Sequence, residues 1–147
     1  MKAPLIAALL ALSAAPALAE TQLERMERIT ETLQARMFAD MVQGSDIDVA
    51  QAVAWDDAMR DAAQCLLDGY RAEAEPDAID ASFDAMEELL AQTDLGADEF
   101  ETRMAALPQP VPQDRAIALS GECGLMALQM QRMRETGLMD AMIHSGQ

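Results

Sequence analysis

The sequence predicts an all-α chain, a bundle of four to five helices closed by one intramolecular disulfide. Three observations carry that expectation. Apolar residues recur every three or four positions along nearly all of the chain beyond residue 20, which is the spacing of one helix face. No stretch alternates apolar with polar residues, and β-branched residues are scarce, so strands leave no signal. The breaks between periodic segments span two to six residues, which suits antiparallel neighbours in a bundle.

Residues 1–19 have the form of a secretory signal. Lys2 supplies the positive start, Leu5, Ile6, Leu9, Leu10 and Leu12 form a short apolar stretch, and Ala17-Leu18-Ala19 is an A-x-A cleavage site before Glu20. The stretch is interrupted by Pro4 and Pro16 and falls short of the roughly 20 residues a membrane span needs. No Cys follows the cleavage site, so the lipoprotein pattern is absent. The expectation is a periplasmic or secreted protein, free of the membrane after cleavage, with one helical domain over residues 20–147.

The first helix is expected from Thr21 to Gln43. Thr21-x-x-Glu24 is a capping-box spacing, and Leu23, Met26, Ile29 or Thr30, Leu33, Met37 and Met41 make its stripe. Gly44 stands where a C-terminal glycine belongs. The second helix is expected from Val49 to Arg71, with Ala52, Trp55, Met59, Ala62 or Ala63, Leu66 and Tyr70 inward and Cys65 at the edge of that face. The third runs from Asp77 to Gln92 on Ile79, Phe83, Met86 and Leu90, and the fourth from Ala97 to Ala106 on Phe100 and Met104. Pro108, Pro110 and Pro112 then impose a stiff extended crossover. The fifth runs from Gln113 or Asp114 to Glu135, with Ala116, Leu119, Cys123, Met126 or Ala127, Met130 and Met133 inward. Gly121 and Gly124 flank Cys123; they permit either close approach of the Cys65 helix or a break. Gly137 ends this helix, and Leu138 to Ile143 can add one last turn.

Cys65 and Cys123 are the only cysteines and lie 58 positions apart. An oxidising compartment favours pairing them, which would tie the second helix to the fifth. There is no C-x-x-C, so thioredoxin-type redox chemistry has no basis.

Composition narrows the function. Beyond residue 19 the chain carries nine Arg against 26 acidic residues, a net charge of −17. That balance argues against nucleic acid, whose phosphates need clustered cations, and against anionic membrane surfaces. The 51% apolar content is too high for a disordered acidic tail. The acidic runs, such as Glu73 to Asp80 and Asp94 to Glu101, match no Ca²⁺-loop spacing and read as solvated faces. One His and no nucleophile motif leave no basis for an enzyme, and no cofactor is implied.

The compositional oddity is methionine. Met126, Met130, Met133, Met139 and Met142 crowd the C-terminus, with His144 beside them. Flexible thioethers fill irregular cores and also make adaptable contacts with apolar peptides. On an acidic body they suit an exported, non-enzymatic interaction module, chaperone-like toward basic or unfolded clients, whose contact surface is those five methionines. The alternative is a soft-metal protein holding Cu(I) through Met126, Met130, Met133 and His144, because thioether sulfur suits that ion.

Overall fold

A computed structural model describes residues 20–145, so the signal segment expected over residues 1–19 lies outside the described residues. Among the described residues there are eight helices and no strand. They are α1 (Gln22–Ala39), α2 (Val49–Val53), α3 (Asp57–Glu73), α4 (Ala78–Leu90), α5 (Ala97–Ala105), α6 (Gln113–Glu122), α7 (Leu125–Glu135) and α8 (Leu138–Ser145). The all-helical class stands; the count of four to five does not. None of these helices is long and apolar enough to cross a membrane.

α1 begins with the capping box its sequence implies. The Thr21 hydroxyl accepts from the Glu24 N–H at 3.2 Å, and the Glu24 carboxylate accepts from the Thr21 N–H at 2.7 Å. The helix stops at Ala39, short of Gln43. The chain then turns through Gly44 at φ +84°, a backbone that glycine adopts without strain. This turn folds Val42 into the core and leaves Met37 and Met41 outside, 44% and 38% exposed. Those two methionines therefore do not continue the buried stripe. Phe38, Ala35 and Val42 take their place.

The expected second helix is two helices, because the chain leaves the helix over residues 54–56, with Ala54 and Asp56 extended, and Asp56 starts a new one. The Asp56 side chain accepts from the Met59 N–H at 2.9 Å, which satisfies one of the free donors of a first turn. The Trp55 N–H, removed from any helical partner, donates to the Glu31 carboxylate of α1 at 2.8 Å. The inward residues of this segment are otherwise as the periodicity implies: Ala52, Trp55, Met59, Ala62, Ala63 and Leu66 are all buried.

The expected fifth helix also divides. Gly124 adopts φ +75° and ends α6, which settles the two-glycine alternative in favour of a break. The break resets the helical phase. Leu125 and Leu128 turn inward on α7, while Met126 and Met130 turn out. One residue of displacement is about 100° of helix rotation, so the expected face is the wrong one there. Gly137, at φ +75°, makes a second elbow into α8.

Two apolar clusters result. The first packs Trp55, Met59, Ala62, Ala63 and Leu66 against Leu119 of α6 and Leu125 of α7. Gly69 lets α6 approach α3, since a Cβ there would meet Leu119 Cδ2 at 2.7 Å. The second cluster packs Val42, Ala52 and Val53 around the fully buried Leu138 of α8. The Sγ atoms of Cys65 and Cys123 are at bonding distance, with Cα atoms 5.8 Å apart. That link joins α3 to the α6–α7 elbow at the surface, where Cys65 is exposed.

Arginines consume much of the acidic surface. Arg25 of α1, only 18% exposed, pairs with Asp84 and Glu87 of α4. Arg28 adds a second contact to Glu87 at 2.6 Å. Arg60 joins α3 to Glu27 of α1 at 2.6 Å, and Arg115 joins α6 to Glu73 of α3 at 2.7 Å. The Arg25 and Arg28 guanidiniums hold the Glu87 carboxyl at about 2, well below its ordinary 4.5. Hydrogen bonding from Arg115 likewise lowers Glu73.

Candidate functional site

The structure divides the five C-terminal methionines. Met126 and Met130 stand on the outer face of α7, 51% and 36% exposed. Met133 and Met142 instead pack against the second apolar cluster, around Leu138. Met139 on α8 is partly buried. The expected contact surface therefore reduces on its outward side to Met126 and Met130.

Those two sulfurs sit four residues apart, which stacks them on one helix face. They border a shallow groove at the α6–α7 elbow with Gly121, Gly124, Ala127 and Arg134. The groove owes its shape to the elbow: Gly124 turns the chain, and the glycines leave the floor without side chains. The Cys65–Cys123 link anchors that elbow to α3. Chemically the groove offers two flexible apolar thioethers, a small-residue floor and one guanidinium. It offers no acid–base pair.

The donors proposed for a soft metal lie in different surroundings. Met126 and Met130 face outward, and Met133 faces the second cluster. His144 sits on the exposed end of α8, where its Nδ1–H donates to the Asp140 carbonyl at 2.7 Å. No group of three or more His, Cys, Asp or Glu side chains among the described residues is arranged to hold a metal ion. The acidic runs are partly committed to structure. Asp56 caps α3, Asp57 pairs with Arg60, and Glu99 pairs with Arg103.

Sequence reasoning passed over a second concavity, between α1 and α4 beneath the proline crossover. Its apolar walls read in the sequence as ordinary core positions. Only the placement of Gln109 and Pro110 over them reveals a cleft, and the periodic pattern carries no signal of that kind.

Comparison with protein-family models, with curated proteins and with solved structures finds no match to this chain.

Proposed function

We propose that the chain is an exported, non-enzymatic interaction module, chaperone-like in mode, that holds an unfolded or basic partner polypeptide against Met126 and Met130. The observation carrying this reading is their placement. Two large apolar side chains stand exposed beside the disulfide-linked elbow, although the same helix buries Leu125 and half-buries Leu128. Methionine is suited to such a surface because its unbranched thioether re-packs against varied apolar shapes. The net charge of −16 adds long-range attraction for cationic clients and resists self-association. Export rests on residues 1–19 and on the two paired cysteines, which belong to an oxidising compartment.

The test is suppression of aggregation. Reduced, carboxamidomethylated lysozyme serves as a basic unfolded client. The intact protein keeps it in solution at low salt, and Met126→Gln with Met130→Gln abolishes the effect without changing the melting temperature. Equal protection by the double variant, or none by the intact protein, contradicts the reading.

A further inference from the structure

We propose that the cleft between α1 and α4, bordered by the Pro108–Pro112 crossover, is a binding site for a small uncharged amphiphile, an aromatic or short-acyl body carrying a hydroxyl, carbonyl or ring N–H group. The cleft is built from four segments. α1 contributes Ile29 and Leu33, α4 contributes Phe83 and Met86, α3 contributes Tyr70, and the crossover borders it with Gln109 and Pro110. Its volume of about 160 Å³ matches apolar cavities that accept a benzene-sized guest. Ligand sites of this kind are mostly apolar with a few placed polar groups.

Those polar groups are present. Thr30, Ser82, Tyr70 and Gln109 all line the cleft, and none makes a side-chain hydrogen bond within the described residues. For Thr30 this is a departure from its neighbours. Thr32, Thr102 and Thr136 each donate to the carbonyl four residues earlier, the usual recourse of a helical threonine. Thr30 sits mid-helix with the same option and does not take it. Burial also raises the Tyr70 phenol above its ordinary 10.0, so it stays a neutral donor and acceptor. No charged side chain lines the cleft. The Arg25 guanidinium, over the Phe83 ring at 5.5 Å, is committed to Asp84 and Glu87. A charged ligand would lose water there and gain no counter-charge; a neutral one meets apolar walls and four side chains able to hydrogen-bond it.

The site is independent of the methionine face, and methyl NMR separates the two. Protein labelled at methionine methyl carbons is titrated with indole, phenol, benzoate and benzylammonium. Indole or phenol shifts the Met26 and Met86 methyls saturably, at micromolar to sub-millimolar concentrations typical of so small a ligand. Benzoate and benzylammonium bind at least ten-fold more weakly. Ser82→Leu, which fills the cleft with apolar volume, abolishes the shifts while the protein remains folded. Tyr70→Phe and Thr30→Val, which remove only hydroxyls, weaken binding severalfold. The proposal is overturned if no probe shifts Met26 and Met86, if charged and neutral probes act alike, or if the shifts fall on Met126 and Met130 alone.

Discussion

The backbone N–H of Trp55 donates to the Glu31 carboxylate, 24 positions earlier in the chain, at 2.8 Å. This bond satisfies the donor freed where a continuous helical pattern divides into two helices. The N–H at a helix break must find a partner or remain buried at a cost, and Glu31 supplies it from α1. Glu31→Ala is therefore expected to cost about 1–3 kcal/mol, the penalty of an orphaned donor. Glu31→Gln, whose amide oxygen still accepts, recovers most of it. Urea unfolding of the two variants checks the pair; equal losses would show that the carboxylate acts by charge alone.

Pairing Cys65 with Cys123 closes a loop of 58 positions. The chain-entropy account assigns such a loop roughly 4 kcal/mol, a large share of the about 5–15 kcal/mol typical of a domain. Reduction, or Cys65→Ala with Cys123→Ala, is expected to lower the urea midpoint sharply. Because the link anchors the α6–α7 elbow to α3, hydrogen exchange should rise most over residues 119–128. A loss spread evenly over all helices would show that the bond acts only on the unfolded chain.

Glu87 sets an acid limb. Its folded value of about 2 lies below the ordinary 4.5, so the Arg25 and Arg28 contacts stabilise the fold above about pH 4.5. That contribution fades as pH falls toward 2. With Glu87 29% exposed, solvent screening reduces its contribution to on the order of 1–2 kcal/mol. Glu87→Gln is expected to flatten the stability–pH curve between pH 4.5 and 2 and leave it unchanged in shape above. An unaltered acid limb in the variant refutes the assignment.

Gly69 separates two effects of opposite sign. Alanine there gains about 1 kcal/mol of helix propensity, but its Cβ would press on Leu119 Cδ2 at 2.7 Å. Leu119 is 4% exposed and has little room to yield, and overpacking costs about 1–3 kcal/mol. Gly69→Ala is expected to destabilise by about 1 kcal/mol, and Leu119→Val to relieve that loss in the double variant. Additive effects would mean that the two positions do not meet.

Particular residues show what the sequence makes legible. The apolar rows through Ala52 to Leu66 needed no structure to identify, because helical spacing alone places them inward. The cysteine pair is legible from count alone, since two cysteines allow one pairing. Met130, and Met126 as the alternative to Ala127, read as inward in the sequence and lie outward for a physical reason. The positive φ at Gly124 turns Leu125 and Leu128 inward, so a periodicity read through the break carries the wrong phase over the start of α7, although Met133 still faces the core. Asp56 is the comparable miss. An N-capping residue directly after Trp55 signals a new helix start, but the uninterrupted apolar row conceals it. Leu138, fully buried, belongs to a segment that promised only one turn. The α1–α4 cleft was illegible for another reason: it depends on where a non-periodic crossover lands.

The most direct test of the account is whether a client polypeptide touches Met126 and Met130. Methionine-methyl NMR with reduced, carboxamidomethylated lysozyme resolves each sulfur-bearing side chain separately. The account predicts that the Met126 and Met130 signals shift and broaden, while buried Met59, 2% exposed, is unmoved. Perturbation centred on Met37 and Met41, or no methionine response while the client stays soluble, would contradict it.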